Sequence, residues 1–299
     1  MSLKSASLRS GIAIVAAGSA LALSACGAGQ ISQTANRVPA VDGGAANAED
    51  NNITLRKGET VSMIDRRTCE VVTDAGDRVP YDRLLIATGS NPIVLPLPGK
   101  ELPGVIGFRD IYDVDRMIKA STDYRNAVVI GGGLLGLEAA NGLMKRGMNV
   151  TVVHLLDTLM ERQLDPVAGG LLRKSLEERG MVFKMPAQTQ AILGEDRVTG
   201  VRFGDGTELP ADLVVMAVGI RPNFELAKKA GLYCERGIVV SDTMQTYDPR
   251  IYAIGECASH RGIAYGLVAP LFEQAKVCAN HLATYGIGIY KGSAVSTKL

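Results

Sequence analysis

The sequence predicts an α/β protein built from two related units, and three observations predict it. First, "AGDRVPYDRLLIATGSNP" at 75–92 aligns without gaps to "DGTELPADLVVMAVGIRP" at 205–222. Gly76, Pro80, Asp82, Ala87, Gly89 and Pro92 fall, in one constant register, on Gly206, Pro210, Asp212, Ala217, Gly219 and Pro222. Second, "NAVVIGGGLLGLEAANGLMKRGMNVTVVHL" at 126–155 reads as apolar strand, glycine loop, amphipathic helix and second apolar strand. Third, 299 residues with 34 glycines and no tryptophan suit about two domains rich in tight turns.

Taken in order, residues 1–10 carry Lys4 and Arg9 without an acid, and "GIAIVAAGSALALSA" at 11–25 is apolar but short for a membrane span. Leu23-Ser24-Ala25-Cys26 then matches a bacterial lipoprotein box, so residues 1–26 read as an export signal with Cys26 as the acylated residue. Residues 27–50 are small and polar and read as a flexible tether, similar to the start of certain actinobacterial lipoproteins. Each copy of the repeat is a polar turn, a buried strand, and a glycine where the chain leaves the sheet. The predicted layout is therefore one unit over 51–122 and 237–282, an inserted unit over 123–236, and the start of a C-terminal interface domain over 283–299.

Within the inserted unit the spacing Gly131-x-Gly133-x-x-Gly136 follows a strand and opens a helix. The first glycine permits a tight turn, the second lets backbone approach a pyrophosphate, and the third lets helix pack on strand. The helix start then offers free N–H groups and a positive dipole end to phosphate. Such a loop predicts a three-layer, Rossmann-like unit for NAD(P). The strand-end position that ordinarily carries a ribose-binding acid is His154, followed by Leu155 and Leu156. A neutral His154 accepts one ribose hydrogen bond, a protonated one pairs with a 2′-phosphate, and a purely structural strand-end histidine is the third reading. NADH and NADPH both stay open, with NADH favoured.

A net charge of +1 gives no reason to expect a nucleic-acid partner. The five cysteines, Cys26, Cys69, Cys234, Cys257 and Cys278, form no C-x-x-C pair, and with three histidines no metal site is expected.

From residue 53 onward the chain resembles the pyridine-nucleotide:flavin oxidoreductases with two dinucleotide-binding domains. Within them it is most similar to the N-terminal reductase part of the assimilatory NAD(P)H nitrite reductase large subunit. The stretches that carry this are "PYDRLLIATGSNP", "GVIGFRDIYDVDRM", "VVIGGGLLGLEAANGL", "TLMERQLD", "SDTMQTYDPRIYAIGEC" and "YGLVAPLFEQAKVCANHLA". The resemblance implies that Ala87, Thr88 and Gly89 lie against FAD and that Gly255 and Glu256 close a second flavin motif. It implies a helix from Leu267-Val268 aimed at the flavin ring, Glu138 near the nicotinamide–flavin contact, and Gly219 with NAD(P). The implied reaction is hydride transfer from nicotinamide to FAD, with electrons leaving for an iron–sulfur and sirohaem module outside this sequence.

Counting back from Gly131 by the offset of the repeat lands near residues 1–6, where there is no glycine. The first unit is therefore expected to lack its first strand, its phosphate loop and its adenosine-binding acid. Losing several phosphate hydrogen bonds at ~1.5–3 kcal/mol each predicts that FAD is held poorly or not at all. Two further functions stand beside the reductase: a nicotinamide-nucleotide-binding module without redox turnover, and an exported lipoprotein fusion without activity. The body points to the cytoplasm, and the Cys26 signal to lipid anchoring at the outer face of the cytoplasmic membrane.

Overall fold

The computed structural model describes residues 12–16, 53–283 and 286–294, and these form two compact units. The first runs to Ser90 and resumes at Pro222; the second is Asn91–Arg221.

The first unit begins with β1 (Ile12–Ala16), then a meander of β2 (Val61–Asp65), β3 (Glu70–Thr73) and β4 (Arg78–Pro80), then β5 (Arg83–Ala87). β1 runs parallel to β5, with Ile12 opposite Arg83 and Ala16 opposite Ala87. The chain passes into the second unit through β6 (Ser90–Pro92).

In the second unit come β7 (Val105–Gly107), α1 (Ile111–Asp123), β8 (Asn126–Ile130), α2 (Leu134–Lys145), β9 (Asn149–Val153), α3 (Pro166–Glu178) and β10 (Val182–Lys184). An antiparallel sheet of β11 (Thr189–Gly194), β12 (Val198–Phe203) and β13 (Glu208–Pro210) leads into β14 (Leu213–Met216) and the return crossing β15 (Ile220–Pro222). The central sheet is all parallel in the order β10-β9-β8-β14-β7. Its strands are near-continuous apolar runs because both faces are covered: Val128 and Val214 join one core cluster, Val129 and Val215 the other. Asp110 caps α1 by accepting from the Asp113 N–H at 3.0 Å, and Asp165 caps α3 by accepting from the Ala168 N–H at 2.8 Å.

Back in the first unit, α4 (Glu225–Lys229) and β16 (Ile238–Val240) precede β17 (Ile251–Ala253), a short 3-10 turn at Gly255–Cys257, β18 (Ala258–His260) and α5 (Val268–Leu282). β17 joins β5 on the side away from β1, also in parallel.

The repeat is structural. The step from β4, the edge of an antiparallel sheet, into β5 of a parallel sheet recurs as β13 into β14, and the crossing β6 recurs as β15, in the register read from the sequence. Two expectations are corrected. The first strand is present, and it is made of residues that read as the apolar part of an export signal. It escapes a fixed-offset count because the chain from Val15 to its partner Ile86 is shorter than the chain from Ile130 to Met216. The units also exchange earlier than the sequence placed them. β7 pairs with β14, and Met117 and Ala120 of α1 are core residues of the inserted unit. Ala227 and Leu232 belong to the core of the first. Among the described residues no helix is long and apolar enough to cross a membrane.

Candidate functional site

The glycine loop between β8 and α2 is shaped by close approaches that exclude side chains. A Cβ on Gly136 would lie 1.9 Å from the Gly131 carbonyl oxygen, and one on Gly131 would lie 2.3 Å from the Ala217 oxygen, with Gly131 at φ +126°. These two glycines bring α2 down onto β8 and β14. Gly133 differs: it is the N-cap of α2, and a Cβ there would meet nothing within 4 Å. Its space is open where a phosphate would meet the free N–H groups of the helix start. Gly219, at φ +110° just beyond β14, is exposed, and a Cβ there would meet only Ile93, in ordinary contact at 3.7 Å. This half fits a nicotinamide dinucleotide.

His154 sits directly beneath the loop. Its Nδ1 accepts from the Gly132 N–H at 3.0 Å, and a Cβ on Gly132 would lie 2.7 Å from the imidazole Cγ. That bond makes Nδ1 the acceptor and leaves the proton on Nε2. Nε2 is buried, 3.2 Å from a Glu161 carboxylate oxygen but out of line for a hydrogen bond. Of the three sequence readings of His154, this geometry carries the structural one, in which the imidazole braces the loop. Glu138 is exposed on α2, opposite the buried Leu137, Ala139 and Ala140.

In the first unit, Ala87 ends β5, and Thr88 and Gly89 follow it, with Gly89 at φ +65°. The Thr88 hydroxyl donates to the Asn223 carbonyl, and the Asn223 N–H donates to the Gly89 carbonyl at 2.9 Å. Gly255, at φ +82°, is open in the same way as Gly133, since a Cβ there would meet nothing within 4 Å. Its N–H donates to Gln274 Oε1 at 2.9 Å. Glu256 is buried and accepts from the Ser90 hydroxyl at 2.7 Å. Gln274 is fully buried, and among the described residues its Nε2 makes no hydrogen bond of ordinary geometry. α5 starts at Val268, which is exposed, and its N-cap Leu267 makes no side-chain hydrogen bond to the helix. An open glycine, a hydroxyl-bonded carboxylate and a buried amide that holds the Gly255 N–H fit the second flavin motif. Ser90 and Gln274 were missed from sequence because neither lies in a recognisable spacing.

The first unit departs from the second at the end of its first strand. Val15 opposite Ile86 matches Ile130 opposite Met216, so Ala16 stands where the second unit has Gly131. Counting on along the sequence, Gly18 corresponds to Gly133 and Leu21 to Gly136. Gly18, Leu21 and the predicted lipidation residue Cys26 lie outside the described residues. No group of histidines, cysteines and carboxylates that could hold a metal occurs among the described residues.

Two repeated α/β units, one with a glycine loop open at its helix start, have the architecture of the two-dinucleotide-domain oxidoreductases. The chain belongs to the pyridine nucleotide-disulphide oxidoreductase family, which residues 5–281 match. It is 57% identical over 251 residues to a nitrite reductase [NAD(P)H] of Bacillus subtilis, covering 84% of this chain and 31% of that protein. An assimilatory nitrate reductase electron transfer subunit of the same organism is 47% identical, with 84% and 33% covered. Among solved structures, the putidaredoxin reductase–putidaredoxin complex superposes with TM-score 0.77 at 33% identity, covering 86% of this chain and 63% of that one. The chain thus spans about a third of the length of those curated relatives. Members of this family are FAD- and NAD(P)H-dependent oxidoreductases.

Proposed function

We propose that this chain is the NAD(P)H-binding reductase portion of a nitrite-reductase-type flavoprotein, delivering electrons to an acceptor module or protein. The observation that carries this reading is the open Gly133 at the start of α2, held in place by the contacts of Gly131 and Gly136. The named activities of the relatives, nitrite reductase and an electron transfer subunit, support the direction of electron flow. The chain's own part is to bind the nucleotide diphosphate at the α2 start, keep the nicotinamide end near the open Gly219 edge, and position it by the strand-end loop. Flavin, when bound, supplies the step from a two-electron hydride donor to later acceptors.

One observation favours a second reading, nucleotide binding without turnover: Ala16 stands at the end of β1 where the second unit has Gly131. The test is flavin content by visible absorbance together with NADH-dependent dye reduction, with and without added FAD. Turnover supports the reductase; nucleotide binding without turnover even in excess FAD supports the module; neither overturns both.

For location we propose the cytoplasm. The β1–β5 ladder and a family match beginning at residue 5 support keeping residues 12–16 within the fold, because cleavage before Cys26 would remove that strand. Mass spectrometry of the N-terminus in the native host checks this: a chain retaining residues 12–16 agrees, and a lipidated Cys26 terminus contradicts it.

A further inference from the structure

The position at the end of β9 that calls for a ribose-binding carboxylate carries a buried imidazole, which leaves the nucleotide's adenosine end without its expected acceptor. Glu161 lies within reach of that imidazole. The loop after β9 turns back on the glycine loop: the Met160 N–H donates to the Gly132 carbonyl at 3.0 Å, and Leu159 and Met160 are buried at 1% and 2% exposure. These anchors hold the following residue, Glu161, with one carboxylate oxygen 3.2 Å from His154 Nε2. The carboxylate remains partly open, its side chain 34% exposed, whereas His154 is 10% exposed. His154 commits Nδ1 to Gly132 and presents a buried, unaligned Nε2 toward Glu161.

The other acids of this loop are occupied. Asp165 accepts from the Ala168 N–H as the α3 cap, and Asp157 accepts from the Thr158 hydroxyl at 3.1 Å. Between 154 and 165 there are three carboxylates and one guanidinium, Arg162, so the loop carries a net negative charge beside the end of β9.

We propose that Glu161, positioned by His154, takes over the role of the missing strand-end carboxylate, accepts hydrogen bonds from the adenosine ribose hydroxyls, and makes this chain select NADH over NADPH. A ribose diol offers two O–H donors that a carboxylate satisfies together, and hydrogen bonds to a charged acceptor are the strong kind. A 2′-phosphate at the same place meets like charge and removes one donor. His154 is a positioning residue: bonded to the Gly132 N–H through Nδ1, its imidazole sets the wall against which the Glu161 carboxylate rests, 3.2 Å from Nε2, so ribose and pyrophosphate are read by neighbouring pieces of chain.

The inference rests on the nucleotide-binding reading above, and its test separates the two. The purified full chain is titrated with NADH and with NADPH by calorimetry, and the ratio of the two dissociation constants is the readout. NADH is expected to bind at least tenfold tighter than NADPH. Glu161→Gln should bring the ratio close to one, chiefly by weakening NADH, and Glu161→Arg should invert it. His154→Ala should reduce the ratio as well. Because the ratio is internal to each variant, a partly unfolded preparation lowers both affinities alike and leaves it unmoved. Equal affinity of the parent chain for both nucleotides, or a ratio unchanged in both Glu161 variants, overturns the proposal while nucleotide binding stands. Binding of neither nucleotide by the parent chain overturns both.

Discussion

Two alanine substitutions, three residues apart, separate the packing role of the glycine loop from its binding role. In Gly136→Ala the new Cβ would sit 1.9 Å from the Gly131 carbonyl oxygen, while ordinary contact begins near 3.4 Å. Both partners are backbone, so helix α2 must lift from β8 by about 1.5 Å, the kind of overpacking that costs about 1–3 kcal/mol or more. Alanine's better helix propensity returns at most about 1 kcal/mol. The expected net loss is about 2 kcal/mol, or a urea midpoint lower by about 1 M at a slope of about 2 kcal/mol/M. In Gly133→Ala the Cβ meets nothing, φ is −84°, and the exchange at an N-cap costs under about 1 kcal/mol. That methyl instead fills the space through which a pyrophosphate reaches the helix N–H groups. Losing one charge-assisted bond of ~1.5–3 kcal/mol weakens NADH about ten- to a hundred-fold. Urea denaturation and NADH titration on both variants provide the assay. A stable Gly136→Ala chain, or a Gly133→Ala chain that binds NADH like the parent, would refute this division of labour.

Flavin retention follows the register of β1: the purified chain should carry well under one FAD, and Ala16→Gly should raise the visible flavin absorbance of dialysed protein; no rise contradicts the assigned register. Removing the α3 cap with Asp165→Ala should cost about 1 kcal/mol in urea denaturation and leave the affinity for NADH unchanged. Asp242 accepts from Arg261 and His260, and these partners hold its carboxyl down at about 2. Since that value lies below the ordinary one, its stabilising contribution is present above the ordinary carboxylate range and is lost as pH falls through about 2. The stability gap between the parent and Asp242→Asn, measured by urea denaturation from pH 7 downward, should therefore narrow with acid; a constant gap contradicts it.

Much of the second unit is legible in the sequence because its glycines, turns and apolar strands are local signals that agree with one another. The repeat was readable for the same reason: Gly76, Pro80 and Asp82 mark one turn, and Gly206, Pro210 and Asp212 mark the same turn in the second copy. β1 was not readable. "IAIVA" is equally a strand buried in a parallel sheet and the apolar part of a leader, and only its ladder with β5 decides. The ribose end was hidden as well. Glu161 lies well beyond His154 in the chain, and what brings them together is the burial of Leu159 and Met160, a tertiary contact without a periodic trace. Ser90 and Glu256 meet from opposite ends of the inserted unit, a separation at which no spacing rule operates.

Hydrogen exchange of the full chain with and without saturating NADH, read by mass spectrometry, tests the central claim most directly, that nicotinamide nucleotide is held by the loop of the second unit. Slowed exchange is expected at Gly131–Leu137 and at residues 154–161, where the helix start and the strand-end loop meet the two ends of the adenosine diphosphate. Unchanged exchange in both segments, under conditions where NADH binding is measured, would contradict it.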